Sequence, residues 1–360
     1  MKPVKIVSNK SSNVLEIGWD PSNYCNFKCE YCFPGSNAGT HKFSDDLDLV
    51  VGNFRHLINF YKEKLGKDKV HLSMAGGEPT LWRHLAEFIA KIKQDNNVYF
   101  SLISNGSRTL RWWEENAHLI DNAHLTHHIA QGDVTHIIAV ADALHERGTK
   151  TTVKVLMDPN HWDKGIRDIE LMKKHSRNRW FIMTAEVIDN TADPSVPRYT
   201  PEQLKYLKRD LKRLPNLLWF WRNRHLIKDE LRFFDSTATL EDGSTMRASP
   251  GAYFNRGWNS FKDWDCAIGL DRIYMNWTGN ITGACNAKLF GLDTYFNITS
   301  PNFTTEFNPP LKSTKCPNTA CWCMPETHLT KFNLSERNVS GTRTIIPITD
   351  YRVYVNTKCP

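Results

Sequence analysis

Cys25, Cys29 and Cys32 stand at the spacing C-x3-C-x2-C, directly after a β-rich run from Leu15 to Trp19. Three thiolates this close in sequence can wrap three corners of a cubane iron–sulfur cluster, and thiolate is the ligand such clusters require. A structural zinc site and an electron-transfer cluster both close with a fourth protein ligand, and no fourth cysteine lies nearby. One iron is therefore left open to a ligand from outside the chain.

Two further motifs fall at the ends of the next β-rich runs. Gly76-Gly77-Glu78-Pro79 follows Val70 to Ala75, and Ser104-Asn105-Gly106 follows Asn97 to Ile103. Glycines let a backbone approach a ligand closely, and the Glu78 carboxylate is an acceptor for an ammonium group. Each motif taken alone is also an ordinary turn. Their common place at the carboxyl ends of strands is what points to a binding site, because ligands in α/β sheets bind there.

Together these residues resemble the radical S-adenosylmethionine (SAM) superfamily, whose signature is the C-x3-C-x2-C loop followed by GGEP. Tyr31 fills the place before the last cysteine where that family has an aromatic residue. The resemblance implies that the open iron chelates the amino and carboxylate groups of SAM. One electron from the reduced 4Fe-4S cluster then gives methionine and a 5′-deoxyadenosyl radical. It further implies that Gly76, Gly77, Glu78 and Pro79 lie by the methionine end, with Ser104 and Asn105 facing ribose and carboxylate. Thr126 and His128, at the end of the fourth strand, are candidates for ribose contact, and Lys154 or Met157 on the fifth for the adenine wall. A histidine on a strand is also an ordinary structural residue, and His124, His127 and His128 form no metal-like pair.

A second cysteine group, Cys266, Cys285, Cys316, Cys321 and Cys323, follows as C-x18-C-x30-C-x4-C-x-C. Ile273 to Cys285 reads as a β-hairpin turning at Thr278-Gly279-Asn280 and returning to a thiolate. The region resembles the SPASM domain, or its shortened twitch form, without the full seven-cysteine pattern. That implies one auxiliary 4Fe-4S cluster, with five thiols competing for four corners. A zinc site on Cys316, Cys321 and Cys323 is the alternative, and Cys359 is a bystander.

Elements of alternating type must position these groups. Short β-rich runs alternate with amphipathic helical runs six times up to Arg213, the pattern of βαβ units around a parallel sheet. Ser44 is expected to cap the first helix, whose Leu47, Val50, Val51, Phe54, Leu57, Ile58 and Tyr61 fall at helical spacing. Six repeats fit a partial (β/α)6 barrel, the radical SAM barrel that the resemblance implies, better than a closed eight-stranded one. The expected domains are this barrel over 1–215, an auxiliary-cluster extension over 216–332, and a segment of unassigned role over 333–360.

Composition narrows the class. The chain has 360 residues, 40% of them apolar, which suits one large α/β domain with an appendage. No apolar run is long enough to span a bilayer, and the polar N-terminus lacks a signal-peptide core, so a cytoplasmic protein with no membrane partner is expected. Nine cysteines, eight of them in two groups, fit metal thiolates better than disulfides. A flavodoxin- or ferredoxin-type one-electron reductant is implied as partner by the resemblance.

The substrate is less legible. A net charge of +7 and the stretch from Lys205 to Arg213, running into the Trp-rich 219–225, suit phosphates and stacked bases as well as they suit a solvated helix face. A modified nucleobase in nucleic acid, as in phage-type DNA hypermodification, is the first substrate expectation. A peptide or protein maturase and a small-molecule dehydrogenase are the alternatives. Only about two dozen residues precede Cys25, which weighs against a leader-peptide-binding domain there.

Overall fold

The computed structural model describes residues 2–32, 37, 39, 43–95, 97–177, 179–187, 199–212, 236–248, 252–253, 256–285, 293–317, 319–321 and 323–333, with backbone alone for 95, 208–212 and 324. In chain order come β1 (Pro3–Ser8), β2 (Val14–Trp19), α1 (Leu47–Leu65), β3 (Lys69–Met74), α2 (Leu85–Asp95), β4 (Val98–Ser104), α3 (Leu110–Asn116), β5 (Asn122–His128), α4 (Val134–Glu146), β6 (Lys150–Leu156), α5 (Trp162–Ser176), β7 (Phe181–Ala185) and α6 (Pro201–Lys212). After these the elements shorten: β8 (Ser236–Leu240), β9 (Thr245–Ala248), β10 (Asp265–Cys266), β11 (Arg272–Met275), β12 (Asn280–Thr282), β13 (Thr294–Asn297), α7 (Phe303–Glu306), β14 (Thr314–Lys315), α8 (Met324–Thr327) and β15 (Lys331–Phe332).

The chain divides into two compact units that interleave in sequence. One takes residues 19–47 and 72–227; the other takes 1–18, 48–71 and 228–360. The boundary expected at 216 lies outside the described residues, as do 334–360 with the β-rich run around Ile345 and Cys359.

In the 19–47/72–227 unit, β4, β5, β6 and β7 form a parallel sheet, in register at Ile103↔His124, Thr126↔Lys154 and Lys154↔Met183. The helices α3 to α5 connect its strands, so the core is an α/β fold with a parallel sheet, as the alternation of patterns implies. Strand alternation sorts β5 cleanly: Ala123, Leu125 and His127 are buried, while His124, Thr126 and His128 share the half-buried face. His127 Nε2 meets Asp168 Oδ2 of α5 at 2.8 Å, which makes it the structural histidine of the trio. Asp133 caps α4 by accepting from Thr135 N at 2.9 Å, and α4 buries Ile137, Ile138, Val140, Ala141 and Leu144. Trp19, Phe43, Trp82 and Phe88 form an aromatic knot with centroids 5.1 to 5.6 Å apart, each ring burying roughly 150–250 Å².

The 1–18/48–71/228–360 unit holds an antiparallel sheet. Its six-stranded sheet runs β14-β10-β15-β1-β8-β9, over a core that includes Ile6, Ala238, Tyr253, Phe261 and Trp264. β1 went unread in the sequence because its register partners, Thr237 and Lys331, lie more than two hundred residues away. The hairpin expected near residue 279 is present: β11 and β12 pair at Tyr274↔Thr282, and Gly279 takes a φ of 83° at the turn. Helix α1 buries Val50, Val51, Phe54, Leu57, Ile58 and Tyr61 as its spacing predicts. It starts at Leu47 and not at a Ser44 cap; the Ser44 hydroxyl instead accepts from Asp46 N at 3.1 Å.

Candidate active site

The cysteine loop and the GGEP turn are fastened backbone to backbone. Gly77 N donates to Ser22 O at 2.8 Å, and Glu78 N donates to Tyr24 O at 2.8 Å. A Cβ on Gly77 would stand 2.2 Å from Tyr24 O, and one on Gly76, at φ 99°, would stand 2.7 Å from Ser22 O. The two glycines thus let the loop and the strand end come this close, which no larger residue permits.

Glu78 is 1% exposed and forms a staple. Oε1 accepts from Thr80 N at 3.0 Å, Thr80 Oγ1 at 2.6 Å and Ser104 Oγ at 2.8 Å, and Oε2 accepts from Asn105 N at 2.7 Å. Burial raises its carboxyl above the ordinary range, against the opposing pull of these hydrogen bonds. The GGEP turn and the Ser-Asn-Gly turn are consequently one polar construction at the ends of adjacent strand segments. Pro79 opens the short 3-10 turn that Glu78 caps.

The thiols sit within this construction. Cys25 and Cys29 are buried and Cys32 half-buried, with Cys32 N closing a turn onto Cys29 O at 3.1 Å. Cys25 Sγ accepts from Phe27 N at 3.4 Å and from Asn105 Nδ2 at 3.6 Å. Cys29 Sγ lies 3.2 Å from His128 Nδ1 and accepts from Gln131 Nε2 at 3.6 Å. Burial pushes the Cys25 thiol up and the Cys29 thiol up to about 11. Burial, with the His127 charge second, takes His128 down to about 4, so its imidazole is neutral near pH 7. Tyr31 stacks on the His128 ring at 5.9 Å and its hydroxyl lies 3.0 Å from Nδ1; burial and Cys29 raise its phenol.

Donor-rich sulfurs of this kind fit an iron–sulfur cluster, because N–H···S bonds offset the charge of bound thiolates. Of the residues expected at the site, hydrogen bonds join Cys25, Glu78, Ser104 and Asn105 in one group and Cys29, Tyr31 and His128 in another, while Thr126 and Lys154 lie on the half-buried sheet face that carries His128. Met157 is fully buried. Asn26, Ser107 and Gln131 were not foreseen; Asn26 Oδ1 accepts from Asn105 Nδ2 at 3.1 Å and Gln131 Oε1 accepts from Lys28 N at 2.8 Å. Gln131 had one signal, its place just beyond the carboxyl end of β5.

The second cysteine group lies in the other unit. Cys266 is buried on β10, paired with Thr314 and Lys331. Cys316 N donates to Trp264 O at 2.8 Å and Cys321 N to Asn259 O at 2.7 Å. Cys323 caps α8, and Cys285 N donates to Glu326 Oε1 at 2.7 Å. Two buried cations attend these thiols, Arg272 at 5% and Lys331 at 2% exposure. Burial pushes Cys266 up to about 11 and raises Cys321 too, with the Lys331 charge opposing both. Buried cations call for anions, and a thiolate-held metal centre fits that environment.

Comparison with known proteins agrees with this geometry. Residues 19–133 match the Radical SAM superfamily model. An S-adenosylmethionine-dependent nucleotide dehydratase from a Thermoplasmatales archaeon is 28% identical over 156 residues, 40% of this chain and 52% of that protein. A GTP 3′,8-cyclase from Helicobacter pylori is 31% identical over 87 residues, 24% of this chain and 26% of that one. The chain spans from 15% to 52% of the length of the curated relatives it matches. Among solved structures, Streptococcus suis SuiB aligns at a TM-score of 0.50 and 14% identity over 84% of this chain and 68% of that chain, a likeness of fold. On that match and the geometry of the segment, residues 19–133 of the chain are a radical SAM superfamily segment.

Proposed function

We propose that this chain holds a 4Fe-4S cluster on Cys25, Cys29 and Cys32, binds SAM at its open iron, and abstracts hydrogen from a C–H bond of its substrate. The observation that carries the reading is the backbone fastening of the cysteine loop to Gly77 and Glu78, which brings the three thiols to the Ser104-Asn105 strand end. When bound, the reduced cluster supplies the electron that splits SAM homolytically. The chain's own residues place and insulate: Gly76 and Gly77 give the backbone its approach, Glu78 fixes both turns, and His128 and Gln131 aim donors at sulfur. Anaerobic reconstitution with iron counting and a 5′-deoxyadenosine assay tests it. Release of 5′-deoxyadenosine by the parent and none by the triple Cys25, Cys29, Cys32 to Ala variant is the expected result.

The reading extends to a metal centre on the late cysteines, as an auxiliary 4Fe-4S cluster, and to a flavodoxin- or ferredoxin-type reductant in the cytoplasm. Among the described residues no helix is long and apolar enough to cross a membrane. For the substrate, a base-bearing molecule is favoured: the two curated relatives described above are named for nucleotide chemistry, and α6 carries Lys205, Lys208, Arg209 and Lys212. A modified nucleobase in nucleic acid is the specific form proposed. The Trp-rich stretch 219–225 that motivates it lies outside the described residues. Salt-dependent retention on DNA supports the polymer, and activity on a free nucleotide without such retention replaces it. A peptide product would move the assignment to a maturase.

A further inference from the structure

Cys285, Cys323 and Glu326 each present one ligand atom, and the three atoms lie within 4.8 Å of one another; no other group of His, Cys, Asp and Glu among the described residues converges in this way. The trio is local in its making. Cys285 follows the β11–β12 hairpin, and Cys323 and Glu326 stand three residues apart across the start of α8, a spacing that turns both to one side. Glu326 is 8% exposed and has no ion-pair partner among the described residues. Its Oε1 is aimed by the Cys285 N–H at 2.7 Å. A largely buried carboxylate beside two thiols thus has lone pairs to offer a cation that the thiols also hold.

A second observation comes from Arg272, 5% exposed, whose Nε has no hydrogen-bond partner among the described residues. The anionic groups whose charges act on this guanidinium are Glu16, Cys323, Glu326 and Cys285. A buried cation thus accompanies the trio, in keeping with a net negative metal–thiolate–carboxylate centre.

We propose that Glu326 is an oxygen ligand of the metal centre in this unit, sharing it with Cys285 and Cys323. The inference rests on the reading that the unit holds a metal, and it goes further by assigning a ligand that the cysteine pattern does not reveal. In a four-ligand set it leaves one position for Cys266, Cys316 and Cys321 together, so two of those three thiols lie outside the set. Mixed soft sulfur and hard oxygen ligation suits iron and zinc-type ions alike, so the experiment separates them.

The test uses the full chain with Cys25, Cys29 and Cys32 replaced by Ala, so that only this centre is read. One portion is reconstituted with iron and sulfide, another titrated with Co²⁺. Glu326→Ala should weaken metal retention about tenfold or more. Glu326→Gln, which can still accept the Cys285 N–H, keeps the apo fold and yet weakens the metal. Glu326→Cys retains metal and raises the thiolate-to-cobalt charge-transfer absorption by one thiolate's share, a change that a merely structural carboxylate would not produce. In the iron portion, Mössbauer spectra should set one iron apart in the parent and lose that distinction in Glu326→Cys. If Ala and Cys variants match the parent in metal content and spectra, the proposal is overturned and the metal-centre reading stands. A parent that holds neither cobalt nor iron ends that reading, and the proposal with it.

Discussion

His128 Nδ1 stands 3.2 Å from Cys29 Sγ and 3.0 Å from the Tyr31 hydroxyl. One ring nitrogen cannot serve both in the same role: it either donates to sulfur or accepts from the phenol. A metal-bound Cys29 is a thiolate, which favours the donor role. Removing that donor leaves more negative charge on the cluster. His128→Phe, and to a lesser degree Gln131→Leu, should therefore shift the cluster's midpoint potential negative by on the order of tens of millivolts, read by redox titration under electron paramagnetic resonance.

The Glu78 staple holds two turns through four donors. Glu78→Ala strands those donors in a buried site and should cost about 3 kcal/mol in denaturant unfolding. Glu78→Gln should give partial rescue, because its carbonyl oxygen can keep the three bonds at Oε1 while its NH₂ turns a donor toward the Asn105 N–H. Both variants should lose SAM binding in equilibrium dialysis; a Gln variant with parental stability would show that the carboxylate is not the fastening.

Gly77 is a packing requirement of the cysteine loop. A methyl group there would overlap Tyr24 O, 2.2 Å away. Gly77→Ala should displace the loop and abolish iron binding at Cys25, Cys29 and Cys32. The centre on the late cysteines keeps its metal, so chemical analysis of iron shows a partial and not a total loss.

Acid should destabilise the unit that contains Glu16. This carboxylate is 1% exposed; burial alone would raise it, but Lys10 and His328, with His71 also 3.6 Å away, hold it well below its ordinary range. Its contribution is present above the unfolded carboxylate value of about 4.3 and is lost as pH falls through its folded value. Burial takes His71 down to about 4, so between about 6.5 and 4 the unfolded chain binds the extra proton and stability again falls with pH. The melting temperature should decline steadily from pH 6.5 downward. Glu16→Gln should remove the lower part of that decline and cost about 3 kcal/mol at pH 7, since it leaves buried cations unpaired.

The sequence by itself determined the chemistry and the local elements. Cys25, Cys29 and Cys32, GGEP and the Ser-Asn-Gly strand end are contiguous motifs, and the helical and strand periods that carry them are short-range, so both survive in one dimension. The α1 core stripe and the hairpin turning at Gly279 were legible for the same reason. What only the tertiary structure decided is pairing over distance. Neither the bond from His128 to Cys29 nor the four donors on Glu78 has any sequence signal, because each depends on which strand ends become neighbours. The same holds for β1, whose partners Thr237 and Lys331 give it a place in a sheet that its own six residues do not specify. Glu326 shows the limit most plainly. Three residues beyond Cys323 it is one more acidic side chain on a short helix, until folding brings Cys285 and Arg272 around it and excludes the water that would otherwise have solvated its charge.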